Sequence, residues 1–394
     1  MKSIAVIGGS LAGLSAARAL RNQGFDGRLT VVSDEQRRPY DRPPLSKSFL
    51  AGTATEADLS LEAEHENLDA DWQFGLTATA LHASTRSIEL CDGTSFTADG
   101  IVIATGARPR PLAPGPPRGV HVLRTLDDSL ALRKDLQPGA RLVVVGAGFI
   151  GAEVASTARG LGLDVTVIEA APTPLSAPLG TQMGMIVSAL HADHGVRLLC
   201  GVGVVGLTGA ERVEGVVLAD GRTLTADVVL VGVGVQPNTE WLASSGLDAS
   251  NGVRCNAYGV TDIPNVVAVG DCASWYDPLL GEHHRLEHWT GARERAAIAV
   301  SSLLSGGTDN RAGRAPYFWS DQYGLTIQMV GHTRSADSVR VEEGSTDERD
   351  FLAVYRRAEE PVAILALGHG KSFMRWRRQL GSQPAPLSPS VSAL

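Results

Sequence analysis

Gly146, Gly148 and Gly151 stand in the run Gly146-Ala147-Gly148-Phe149-Ile150-Gly151, with an acid, Glu169, about 20 residues beyond them. Gly146 permits a tight turn, Gly148 lets a phosphate approach the main chain, and Gly151 lets a helix lie close to a strand. Phe149 and Ile150 complete the turn, where free N–H groups at a helix N-terminus face an anion. Glu169 is placed to accept hydrogen bonds from a ribose diol and to repel a 2′-phosphate. The elements that must hold these residues are also legible. Leu142-Val143-Val144-Val145 reads as a buried parallel strand, and Ala152 to Leu161 has helical composition. Val165-Thr166-Val167-Ile168 reads as the next strand, delivering Glu169 at its end. A glycine-rich turn with no ligand is the plain alternative. Strand, glycines, helix, strand and acid in this order favour a dinucleotide, NADH over NADPH.

The N-terminus carries the same pattern. Ile4 to Ile7 is the strand, Gly8-Gly9-Ser10-Leu11-Ala12-Gly13 the turn, and Leu14 to Asn22 the helix, stopped near Gly24. Ser10 replaces the middle glycine; it is small, and its hydroxyl can itself meet a phosphate. The strand Leu29 to Val32 leads to Asp34 and Glu35, either of which can serve as the ribose acid. Two dinucleotide sites in one chain are most simply a flavin in one and a nicotinamide in the other. The fold class expected is α/β, with two Rossmann-like domains.

A chain of 394 residues holds two or three domains, and its 44 glycines suit a protein rich in βα turns. A net charge of −8 argues against generic nucleic-acid binding. No apolar run approaches the ~20 residues of a membrane span. Lys2-Ser3 leads straight into a strand with no signal peptide, so a cytoplasmic protein is expected. Cys91, Cys200, Cys255 and Cys272 are scattered, which disfavours a redox disulfide or an internal iron–sulfur cluster. His283, His284 and His288 show no metal spacing with a carboxylate or cysteine, and no metal is expected.

After the first fingerprint comes Pro39-Tyr40-Asp41-Arg42-Pro43-Pro44-Leu45-Ser46-Lys47, by itself a proline-stiffened loop. With that fingerprint before it, the chain resembles the putidaredoxin reductase-like family. Its members are FAD-dependent NADH:ferredoxin reductases of haem monooxygenase and Rieske dioxygenase systems. The resemblance runs from about residue 2 to 380. It implies FAD contacts from Gly8, Ser10, Leu11, Ala12, Gly13, Asp34 or Glu35, Arg42, Pro44 and Lys47. It adds Ala78 at the adenine, Thr105 and Gly106 in the A-T-G segment, and Arg124 at the pyrophosphate. Asp271 is implied at the ribityl chain, with Glu287 and Trp289 at the flavin. Glu153 and Gly234 are implied beside the nicotinamide nucleotide, and Trp319 at the exposed flavin edge. Each has a plainer alternative: a surface Lys47 or Arg124, a solvated first-turn Glu153, a core Trp319. Lys47, Glu153 and Trp319 are the candidate catalytic residues, Lys47 and Glu153 meeting as opposite charges.

The implied layout has FAD-binding parts at 1–109 and 235–314, with an NADH-binding domain at 110–234 inserted between them. A C-terminal interface domain follows at 315–380 and a disordered tail at 381–394. Residues 59–68 read as helical, and 371–380 as a basic helix. Alternating segments at Tyr317 to Gln322, Leu325 to Val330, Ser338 to Glu342, Phe351 to Arg356 and Val362 to Gly368 read as an antiparallel sheet. The chain departs from the family pattern at Ser10, at Ala177 (no arginine in Leu175 to Gly180), at Gly291 and at Arg295. Flavin converts a two-electron hydride into single electrons, so the outlet is expected to be an external [2Fe–2S] ferredoxin. An acidic ferredoxin would dock on a basic patch of Arg311, Arg314, Arg334, Lys371, Arg375, Arg377 and Arg378. Some of these could instead pair with Glu342, Glu343 or Asp347. The rival readings are an NADH oxidase or peroxidase, a quinone reductase, and an apoptosis-inducing-factor-like redox-sensing binding protein.

Overall fold

The computed structural model describes residues 1–306 and 315–381. Its first layer is a parallel sheet in the spatial order Val266–Ala268, Gly100–Ile103, Ser3–Ile7, Arg28–Ser33, Ala70–Phe74. Strands covered on both faces must be apolar throughout, and Ile4, Val6, Val31, Ile101, Val102 and Val267 are almost fully buried. Helix α1 (Leu11–Asn22) returns the chain from the first strand to the second and buries Leu14, Ala16, Ala17 and Leu20. It starts at Leu11 rather than Leu14, because extended Ser10 already holds the N-cap position.

The helix expected over 59–68 is absent; one short turn at Ala57–Leu59 gives way to irregular chain. Arginines of α1 bind this segment instead. Arg18 donates to the Leu61 carbonyl (2.7 Å) and to both oxygens of Glu66 (2.6 Å each). Arg21 donates to the carbonyls of Leu68 and Asp69, both at 2.7 Å. Backbone acceptors held by side chains of another helix leave less to gain from a local helix. A short helix, α2 (Ser48–Ala51), ends the proline loop before this segment.

The chain leaves the first layer through Ala107–Pro109 and returns through Val235–Pro237, which pair antiparallel. Between them lies a second parallel sheet, ordered Arg197–Cys200, Asp164–Glu169, Arg141–Val145, Val228–Val231, Val120–His121. With it come α3 (Leu126–Asp135), α4 (Phe149–Gly160) and α5 (Ser176–Asp193). Thr125 and Asp128 close a reciprocal cap on α3, fixing the approach of Arg124 just before it. Strand Val266–Ala268 then rejoins the first sheet beside Gly100–Ile103, so the second sheet is nested within the first unit. Helix α6 (Trp289–Ser305) packs on α1.

The C-terminal sheet is antiparallel, in the order Tyr317–Gln322, Leu325–Gly331, Glu360–Leu367, Asp350–Arg357, Ser338–Ser345. Its central strands are buried on both faces. Phe351, Ala353, Tyr355 and Leu365 meet Leu179, Met183 and Val187 of α5, while Val354 and Ile364 meet Phe373 of α7 (Gly370–Gly381). The tail expected from 381 lies outside the described residues except for Gly381, which ends α7. No helix of the described residues is long and apolar enough to cross a membrane.

Candidate active site

The sheets bring their loops to one cleft. Ser10, Leu11 and Ala12 follow the carboxyl end of strand Ser3–Ile7, Gly106 follows Gly100–Ile103, and Asp271 follows Val266–Ala268. This is the end of an open α/β sheet where ligands bind. Arg42 and Lys47 reach the cleft from the proline loop, Arg124 from before α3, and Phe149, Ile150 and Glu153 from α4. Glu287, Trp289 and Trp319 close it from the α6 and C-terminal side.

Other residues singled out in the sequence lie off the cleft. Gly8 and Gly13 serve packing: a Cβ on Gly13 would stand 1.8 Å from the Gly8 carbonyl oxygen. Thr105 donates its hydroxyl to the Asn238 carbonyl (2.6 Å), joining the two crossovers rather than lining the cleft. Pro43 lines the wall, and Pro44 is set back in the same turn. Ala78 is buried where its strand Ala78–His82 begins. Asp34 is exposed, whereas Glu35 turns inward and accepts from Tyr40 Oη and Arg42 Nη2, both at 2.5 Å.

Glu153 is the electrostatic centre. Its side chain is 6% exposed, and Oε2 lies 2.7 Å from Lys47 Nζ. Oε2 also accepts the Ser46 hydroxyl (2.5 Å), and Oε1 accepts the Ser320 hydroxyl (2.7 Å). One carboxylate therefore ties the proline loop, α4 and the C-terminal sheet. A second charge set surrounds the far wall. Arg124 Nη2 meets Asp271 Oδ2 at 2.6 Å, Arg42 Nη1 donates to the Arg124 carbonyl (2.6 Å), and Arg42 Nε to Ser10 Oγ (3.2 Å). Burial pushes the carboxyl of Glu287 above its ordinary range, although Arg285 stands 2.8 Å away.

The aromatic wall combines Phe149, Trp289 and Trp319, which the sequence singles out, with Phe318 and His288. Phe318 packs at 4.7 Å from Phe149 and 5.0 Å from His288, and all three line the cleft. Trp289 donates Nε1 to Asp41 Oδ1 (2.7 Å) and meets Trp319 edge-on at 5.8 Å. Arg293 lies over Trp289 at 4.8 Å. His288 Nδ1 is buried with no hydrogen-bond partner among the described residues. Apolar and aromatic walls, cations at one end and an unmet buried nitrogen fit a bound flavin nucleotide.

The second sheet offers a separate nucleotide surface. Gly146 has φ 104°, and Gly151 lies against its carbonyl, where a Cβ would come within 2.2 Å. Gly148 and Gly234 differ: a Cβ there would meet no protein atom within 4 Å. Open space at Gly148, the N-cap of α4, fits a pyrophosphate at a helix N-terminus. Glu169 accepts the N–H groups of Ala147 (2.9 Å) and Ala171 (2.8 Å), which shapes the glycine turn while leaving lone pairs for a diol.

Two sequence readings change. Of the three grouped histidines, His284 lies beside Asp277 and His332, a constellation hidden by the distance between them in the chain. The basic patch is also smaller than the count of charges. Arg375 pairs with Glu343, the alternative the sequence left open, and Arg334 with Glu282, while Arg311 and Arg314 lie outside the described residues.

Burial pushes His191 and His288 down to about 4. Unfolding returns each to an ordinary value of about 6.5, so the unfolded chain binds more protons at mildly acidic pH. Their contribution to stability is complete above pH ~6.5 and is lost as pH falls towards ~4. Thermal unfolding between pH 7 and 4 should show this decline, and His191→Asn should flatten it; a profile unchanged by that substitution would exclude His191 as a cause.

The sequence and solved-structure comparisons agree with this architecture. Residues 2–296 match the family described as pyridine nucleotide-disulphide oxidoreductase. The chain belongs to that family. Residues 317–392 match the reductase C-terminal family. The chlorobenzene dioxygenase ferredoxin reductase component of Cupriavidus sp. (strain PS12) is 41% identical over 83% of this chain and 80% of its own length. Putidaredoxin reductase of Pseudomonas putida is 33% identical over 99% of this chain and 94% of its own. The solved covalent putidaredoxin reductase–putidaredoxin complex superimposes with a TM-score of 0.91 at 33% identity, covering 96% of this chain and 92% of that one. Within this disulphide oxidoreductase family, Cys255 and Cys272 are buried, and residues 37–50 of the cleft loop hold no cysteine.

Proposed function

We propose that this oxidoreductase is an NADH-dependent ferredoxin reductase. FAD occupies the cleft, and electrons pass to a [2Fe–2S] ferredoxin that feeds an oxygenase of the haem monooxygenase or Rieske type. The observation that carries the reading is the buried meeting of Lys47, Glu153 and Ser320. It draws the flavin unit, the nicotinamide unit and the C-terminal sheet onto one point. We take 1–109 and 235–314 as the flavin unit, 110–234 as the nicotinamide unit and 315–380 as the acceptor-facing part. The protein works in the cytoplasm.

Bound FAD supplies the conversion of one hydride into two single electrons. The residues orient and insulate. Arg42 and Arg124 present cations towards a pyrophosphate, Glu35 an acceptor for a ribose, and Asp271 an acceptor for the ribityl chain. Lys47 and Glu153 fix the charge beside the reacting rings, and Trp319 with Trp289 excludes water at the outer edge. Mixing with NADH without oxygen should bleach the flavin quickly, and added ferredoxin should then be reduced. Slow bleaching would favour a redox-sensing role, and fast oxygen consumption without ferredoxin an oxidase.

Glu169 sets the choice of nicotinamide. NADH should exceed NADPH in kcat/KM by at least tenfold, and Glu169→Gln should narrow that ratio by removing repulsion of a 2′-phosphate. Equal efficiency of the two in the unaltered protein would remove Glu169 from this role.

A further inference from the structure

Outside the cleft, a cluster joins the flavin unit to the C-terminal sheet. Asp277 ends strand Ala273–Asp277, His284 lies on the paired strand Glu282–Arg285, and His332 follows strand Leu325–Gly331. One ligand atom from each lies within 4.8 Å of the other two. His332 Nε2 is 3.1 Å from Asp277 Oδ2, and His284 Nε2 is 3.9 Å from the same oxygen. The carboxylate is held from behind, where Oδ1 accepts the N–H groups of Leu279 (2.8 Å) and Leu280 (3.3 Å). That leaves Oδ2 to the histidines. His284 is the anomaly: both ring nitrogens are buried, and neither has a hydrogen-bond partner among the described residues. A buried polar group left unmet is destabilising, and a neutral imidazole keeps one lone pair to donate.

We propose that Asp277, His284 and His332 bind a divalent transition-metal ion of the zinc class, which fastens the Ala273–Arg285 hairpin to the C-terminal sheet. Bonds of ~2.1 Å at tetrahedral angles place ligand atoms roughly 3.4 Å apart, between the two separations observed. Two imidazoles and a carboxylate are a donor set that zinc accepts, with water completing the fourth position. Arg295 is the opposing group. Its guanidinium lies over the Trp275 ring at 4.8 Å and makes no ion pair with Asp277, so it weakens the site electrostatically without occupying a ligand atom. Arg334, the other nearby cation, is paired with Glu282.

The test uses the full chain with its flavin, stripped with a chelator and titrated with Zn²⁺ by calorimetry. One Zn²⁺ should bind per chain and raise the thermal midpoint in a concentration-dependent way. His284→Ala and His332→Ala should each weaken binding by tenfold or more, and Asp277→Asn, close in size, should do the same. His283→Ala, on the same strand, should change nothing. Flavin absorbance reports that each variant is folded, whichever acceptor the enzyme serves. No binding at millimolar Zn²⁺, or binding that survives all three ligand substitutions, overturns the proposal.

Discussion

Lys47→Ala is expected to slow reduction of the bound flavin by NADH by roughly 10²-fold or more. The variant removes the cation from a buried carboxylate and leaves Glu153 with two serine hydroxyls. Removing one partner of a buried pair costs roughly 3–5 kcal/mol, because the other charge is left behind. Ser46 and Ser320 temper this by keeping their hydrogen bonds to the carboxylate. The double variant Lys47→Ala, Glu153→Gln separates stability from chemistry. It should recover much of the thermal midpoint lost by the single variant, since no unpaired carboxylate remains, yet it should stay slow. Stopped-flow bleaching and flavin content of the four proteins form the required cycle. A silent Lys47→Ala would mean that the pair is structural decoration at the seam, and the reading of the cleft would need another centre.

What the sequence revealed and what it hid divide along a physical line. Demands made on the local backbone leave local marks. A turn at φ 104° needs a glycine at 146, and close packing under Gly146 needs one at 151, so the fingerprints were readable from spacing. The C-terminal sheet was readable for a similar reason, through alternation and turn residues. The segment 59–68 was not, because its conformation is set by Arg18 and Arg21 of another helix rather than by its own composition. Likewise Asp41 and Ser46 stand inside the proline-loop motif, yet their contacts, like those of Ser320 and Phe318, follow only from what folding places beside them. The Asp277, His284 and His332 cluster lies in the same class, since one member comes from a different sheet. Charge counting is incomplete for a related reason: seven basic residues can be read from a sequence, but not which of them are neutralised by Glu343 or Glu282.

The surviving charges sharpen the docking prediction. Lys371, Arg377 and Arg378 carry no ion pair among the described residues, and Arg377 lies over the Tyr317 ring at 4.3 Å. Tyr317 in turn stacks near Trp319 at 6.1 Å, and Arg293 lies over the Trp289 ring at 4.8 Å. A short run of cations and aromatic rings thus borders the outer edge of the cleft, on a chain whose net charge is −8. Such a field speeds encounter with an acidic iron–sulfur protein by ~10-fold or more at low salt. It fades as the Debye length shrinks from ~30 Å at 0.01 M to ~8 Å at 0.15 M. Ferredoxin-dependent kcat/KM should therefore fall over that salt range, while NADH reduction of the flavin hardly changes. Arg377→Glu with Arg378→Glu should lower the low-salt value by tenfold or more and leave little further salt dependence. Reduction of a small neutral quinone should be unaffected by the same reversals, which separates docking from electron supply. Salt-insensitive turnover together with silent reversals would place the docking surface away from Trp319 and discard this route.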